Sequence, residues 1–129
     1  LNKKKSIKKI RMVIKMLNKA VLVGRLTRDP EVIETENGNK VSNISLAIPR
    51  NYKNAEGVYE TDFIDVTLWN GVAENTAEYC KKGDIVGVKG RIQADSFEKD
   101  GEKKHITKII AEKLTFLSSK AKEEVEPAR

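Results

Sequence analysis

The chain has little from which to build a metal or nucleophile site. Cys80 is its single cysteine and His105 its single histidine. One thiol excludes an internal disulfide framework and a thiolate zinc cluster. One imidazole leaves His-based metal sites and two-histidine catalytic arrangements poorly supplied. No apolar run approaches the ~20 residues of a membrane-spanning helix, and residues 10–15 are too short and too charged for the core of a secretory signal. Aromatics are scarce as well: three Phe, three Tyr and one Trp in 129 residues. Their positions therefore carry information. The chain is rich in charged residues, at 34%, and its 39% of hydrophobic residues suffice for the core of one domain.

The formal net charge of +6 suggests an anionic partner, but it is unevenly placed. Residues 1–15 hold seven Lys or Arg and no acid, which leaves 18 basic against 19 acidic residues in 16–129. The body is thus close to neutral. Three zones follow: a basic N-terminal extension, 1–15; a strand-rich body, 16–117; and a short polar tail, 118–129, with the composition of a disordered segment. The extension has three readings. Met16 is the natural start and 1–15 a start-site artefact; or the acid-free stretch is a transit peptide, although it is poor in Arg and Ser; or it is an arm for phosphates.

The body reads as short strands between turn signals. A first strand spans 18–26, apolar on both faces, with Gly24 marking a bend or a close backbone approach. Asn37-Gly38 suits a tight hairpin turn. A second strand spans 41–48 and stops at Pro49, with 51–60 a polar loop. The third spans 61–69. Asn70 then caps a helix over 71–82 that Gly83 ends. A fourth strand, 84–97, carries Gly87 and Gly90. Asp100-Gly101 turns the chain into a fifth, 104–117. The order β-β-β-α-β-β predicts an all-β fold: a closed five-stranded OB-fold barrel with one helix between strands 3 and 4.

Strand side chains alternate between faces. Ile64, Val66 and Leu68 claim the interior in the third strand, and Val86, Val88 and Ile92 in the fourth. Phe63 and Trp69 then share the outer face with Asp65 and Thr67. Phe97 shares it with Lys89, Arg91, Gln93 and Asp95. Tyr52 lies in the polar stretch between Arg50 and Lys53. Rings interleaved with cations suit single-stranded nucleic acid: each base offers a π-face to stack on, worth ~1–3 kcal/mol, and cations neutralise phosphates. Each ring taken singly has an equal use in packing, under the helix, under a hairpin or in a subunit interface. Taken together they favour a binding surface. Phe116 and Tyr79 are assigned to the core or its margin, and Tyr59 is left open.

These residues also carry a resemblance. Met16-Leu17-Asn18-Lys19, Val21-Leu22-Val23-Gly24-Arg25-Leu26 and Asp29-Pro30-Glu31 are similar to the start of bacterial single-stranded DNA-binding proteins. So, in the same order, are Asn37-Gly38, Ser45-Leu46-Ala47, Ala73-Glu74, Ala77-Glu78-Tyr79, Lys82-Gly83 and Val88-Lys89-Gly90-Arg91-Ile92. The resemblance implies an OB barrel assembled as a homotetramer, with a homodimer as the alternative, through a first strand whose outward Val21 and Val23 need a partner. It implies stacking on Tyr52, Phe63, Trp69 and Phe97, and the long hairpin at 98–104 is similar to the family's flexible DNA-contacting loop. Candidate phosphate contacts are Lys19, Arg25, Arg50, Lys53, Lys89, Arg91, Lys103 and Lys104. Two features depart from the family: residues 93–96 read QADS with no cation, and Asp65 neighbours Phe63. Weaker, more salt-sensitive binding is expected. The family's acidic tail closing on Pro-Phe docks replication and repair proteins; this sequence closes on EEVEPAR, so no such motif is read from it.

The leading expectation is a non-catalytic cytoplasmic, nucleoid-associated protein that binds and protects single-stranded DNA in replication, recombination or repair, without cofactor, metal or membrane. The alternative is a primosome or competence accessory protein working mainly through protein contacts. A nuclease would need clustered carboxylates, and Asp62, Asp65 and Asp95 do not form such a group.

Overall fold

A computed structural model describes residues 16–119. The expected extension 1–15 and most of the expected tail lie outside them. The elements are β1 (Ala20–Leu26), β2 (Ile33–Glu34), β3 (Lys40–Lys53), β4 (Tyr59–Trp69), α1 (Asn70–Tyr79), β5 (Ile85–Lys99) and β6 (Glu102–Ser118). The strands hydrogen-bond in the order β1-β5-β6-β4-β3-β2, and β1 pairs back onto β3. That last pairing closes a five-stranded barrel, with the two-residue β2 added outside it. The barrel, its helix and the order of the elements match the OB-fold expectation.

Alternation supplies the core. Ile44 and Leu46 of β3, Val66 and Leu68 of β4, Val86 and Val88 of β5, and Leu26 of β1 are buried against one another, and Ala73 of α1 plugs one end. Closure depends on two glycines. A Cβ on Gly24 would lie 2.7 Å from Ile48 Cγ1 and 3.0 Å from the Ala47 carbonyl oxygen, so glycine permits the close β1–β3 approach. A Cβ on Gly90 would run into the Ile110 backbone, where the β5–β6 register shifts.

Several boundaries differ from expectation. Pro49 does not end its strand: β3 continues to Lys53, and Pro49 pairs with Thr61. β1 leaves β3 at Ala47, so no neighbour asks Pro49 for a ladder N–H on that side. The stretch expected as a polar loop is therefore a projecting hairpin arm. Its turn is organised by Asn54, whose Oδ1 accepts the N–H groups of Glu56 and Val58. The hairpin expected at 98–104 is present. β5 and β6 stay paired to Lys99 and Glu102, and Asp100 and Gly101 both adopt positive φ in the two-residue turn.

The helix is shorter than predicted. It follows Trp69 without a side-chain cap, and the Asn70 amide instead accepts the Lys40 N–H. It ends at Tyr79, so Gly83 is not its terminating residue. The Gly83 N–H donates to the Leu26 carbonyl, in the turn that leads into β5. Ile92 is 45% exposed rather than interior, because past Gly90 the β5–β6 pair leaves the barrel as a second arm. The Asn18 side chain bonds both the N–H and the carbonyl of Ile92, continuing the β1 ladder by one step. Tyr79 and Phe116 remain largely exposed. They flank, with Val72, Cys80 and Leu114, a hollow of about 200 Å³ between helix and barrel. Burial pushes the Cys80 thiol above its ordinary pKa.

Candidate nucleic-acid interface

Cross-strand partners point to the same side of a sheet, so the register states which residues share a face. Outward on β4 stand Phe63, Asp65, Thr67 and Trp69, opposite Ala47, Ser45, Asn43 and Val41 of β3. Thr67 pairs in parallel with Ile110 of β6. Ile110, Lys108, Ile106 and Lys104 in turn oppose Arg91, Gln93, Asp95 and Phe97 of β5. One curved outer surface spanning four strands thus carries Phe63, Trp69 and Phe97. Phe63 is 68% exposed, Phe97 47% and Trp69 38%. Tyr52, 60% exposed, stands on the β3–β4 arm.

The cations divide into groups. On the ring-bearing face, Lys108 bonds Asp95 at 2.9 Å and Lys104 approaches Glu102 at 3.8 Å. Arg91, on the same face, makes no ion pair among the described residues. The bond from Lys108, reinforced by Gln93, holds the Asp95 carboxyl below its ordinary pKa. On the Tyr52 arm, Arg50 grips Asp62 and Glu60, and the Lys53 ammonium lies 5.6 Å from the centre of the Tyr59 ring. The remaining expected contacts lie at the margins of this surface or behind it. Lys19 pairs with Glu112 at 2.9 Å. Arg25 points outward opposite Ala47, which in turn opposes Phe63, and donates to the Gly83 carbonyl. Lys103 opposes Glu98 on the reverse side of the β5–β6 arm. Lys89, opposite Val21 and Lys113, borders an exposed apolar strip of Val21, Val23 and Leu117.

Lys108 and Ile106 were missed by the sequence reading. They belong to the ring-bearing face, and the alternation Lys104-Ile106-Lys108-Ile110 would have found them once β6 was placed beside β4. Among the described residues no group of three or more His, Cys, Asp or Glu side chains converges to hold a metal ion, and no helix is long and apolar enough to cross a membrane.

Such a face offers π-surfaces to unpaired bases and a thin, largely ion-paired set of charges to phosphates. The model of the single-strand binding protein family matches residues 17–117. Single-stranded DNA-binding protein B of Bacillus subtilis is 45% identical over 109 residues, covering 84% of this chain and 96% of that protein. The single-stranded DNA-binding protein of Oceanobacillus iheyensis is 48% identical over 106 residues, 81% of this chain and 66% of that protein. Among solved structures, a deletion mutant of the single-stranded DNA binding protein from Thermus aquaticus superposes with a TM-score of 0.68 at 29% identity. That match covers 81% of this chain and 52% of the Thermus chain.

Proposed function

The chain belongs to the single-strand binding protein family, and from that premise we propose that it binds and protects single-stranded DNA with little regard to sequence. The observation that carries this reading is the single outer surface with Phe63, Trp69 and Phe97 exposed on it. Bases stack on these rings and on Tyr52, while Arg91, Lys104 and Lys53 meet phosphates, with Lys108 added to them. Arg25 and Lys89 extend this surface at its margins, while Lys19 and Lys103 serve a strand that wraps beyond it. Stacking needs no base-edge code, so the sequence of the DNA matters little.

In this reading the binding unit is 16–117, flanked by the basic extension and the polar tail. It acts by binding alone, in the cytoplasm on DNA exposed during replication, recombination or repair. Protomers assemble through the Val21, Val23 and Leu117 strip, as a homotetramer or a homodimer. The names of the relatives speak for this over the accessory-protein alternative.

Titration with poly-dT at low salt, read by Trp69 fluorescence and joined to a mass measurement in solution, tests the reading. Quenching that reverses with added salt is expected, because released counterions make affinity fall with ionic strength. An unquenched Trp69 with no retained oligonucleotide sinks it.

A further inference from the structure

We propose that Arg50 is a positioning residue for Tyr52 and not a phosphate contact; the proposal rests on the single-stranded DNA reading above. All three guanidinium nitrogens are engaged. Nε donates to Asp62 Oδ2 at 3.1 Å, Nη2 to Asp62 Oδ1 at 3.0 Å and Nη1 to Glu60 Oε2 at 2.6 Å. The two-pronged match to a carboxylate is the geometry in which arginine surpasses lysine. Two carboxylates around one guanidinium leave the group with a local charge of minus one, which repels an approaching phosphate.

The network sits at a weak point of the ladder. β3 and β4 pair at Pro49–Thr61 and again at Lys53–Tyr59. Residues 50–52 therefore stand against Glu60 alone, and no regular pairing fixes the direction of Tyr52. The side chains take over that task. Arg50 reaches across the bulge to Glu60 and Asp62. Glu60 Oε1 accepts from Asn54 Nδ2 at 3.1 Å, and Asn54 holds the turn at the tip of the arm. The Arg50 guanidinium carbon lies 6.0 Å from the centre of the Tyr52 ring, at the outer limit of a cation–π contact. Bulges re-aim side chains next to functional sites; here the bulge turns Tyr52 outward, and Arg50 locks it.

Arg50→Ala, Arg50→Lys and Asp62→Asn, each alone and with Tyr52→Ala, are to be measured for oligo-dT affinity across a salt series. The proposal expects Arg50→Ala and Asp62→Asn to weaken binding alike, by about three- to tenfold. Lysine should fail to rescue, and the losses should largely vanish once Tyr52 is alanine. The slope of log affinity against log salt should stay at the wild-type value. A phosphate contact would behave oppositely. Arg50→Ala would cut the slope by about 0.7, Arg50→Lys would restore it, and Asp62→Asn would tighten binding by freeing the cation. Any of those three results overturns the proposal. Amide hydrogen exchange over residues 50–58 supplies a readout without DNA. Faster exchange in both Arg50→Ala and Asp62→Asn supports the lock, and unchanged exchange refutes it. If the wild type binds no oligo-dT, the functional reading fails by itself, and exchange still decides whether Arg50 orders the arm.

Discussion

Phe63→Ala separates stacking from packing by magnitude. With 68% of its surface exposed, Phe63 has about a third of its area against the protein. Full burial of a phenylalanine contributes ~1.5–3 kcal/mol, so truncation should cost ~0.5–1 kcal/mol of stability. A stacked base is worth ~1–3 kcal/mol on the bound side, which is about 5- to 160-fold in affinity. The variant should fold almost as well as wild type and bind oligo-dT much less tightly. Its salt slope should be unchanged, because no phosphate contact is lost. The natural control is Leu68→Ala, on the same strand but facing inward and wholly buried. There a cavity opens, and ~2–5 kcal/mol of stability is lost. Urea unfolding and fluorescence-anisotropy titration on the two variants decide the matter. Binding by Phe63→Ala within twofold of wild type, or a stability loss matching that of Leu68→Ala, would refute the reasoning.

Two further outcomes follow from the geometry. Gly90→Ala should destabilise at or above the upper end of the ~1–3 kcal/mol range for overpacking, because the new methyl meets Ile110 backbone that cannot rotate away; an unchanged urea midpoint would mean that β5 and β6 approach less closely than described. The carboxyls of Asp62, Asp95 and Glu112 are held below their ordinary values of 3.8, 3.8 and 4.5, chiefly by hydrogen bonds from Arg50, Lys108 and Lys19. The folded state therefore releases these protons more readily than the unfolded chain. Their contribution is complete above those values and is lost as pH falls through them toward the lowered native ones. The urea midpoint should be level down to about pH 5 and decline below it, with Asp95→Asn shallowing the decline. A decline starting near neutrality would assign acid sensitivity to other groups.

Much of the fold was legible because a strand period of two is written directly in the residues. Ile44-Leu46 and Val66-Leu68 announce an inner face. The same alternation forces Phe63 and Trp69 outward whatever the partner strands are. Asn37-Gly38 and Asp100-Gly101 mark turns because Gly38, and both Asp100 and Gly101, take positive φ, which few residues accept. Ile92 defeated the same logic: periodicity says which side a residue takes, but not where the barrel wall stops. Pro49 misled for a related reason, since a missing N–H ends a strand only where a neighbour requires it.

The sequence by itself determined the order of the elements, the inner and outer sides of each strand, and the few rings left on the outer side, all of which depend on local spacing. Only the tertiary structure decided that Phe63 and Trp69 of β4 share one surface with Phe97 of β5. It also decided that Lys108 joins them, and that Arg50 is committed to Asp62 and Glu60. Those facts depend on which strands lie side by side and in what register, and that is settled by closure of the barrel between residues far apart in the chain.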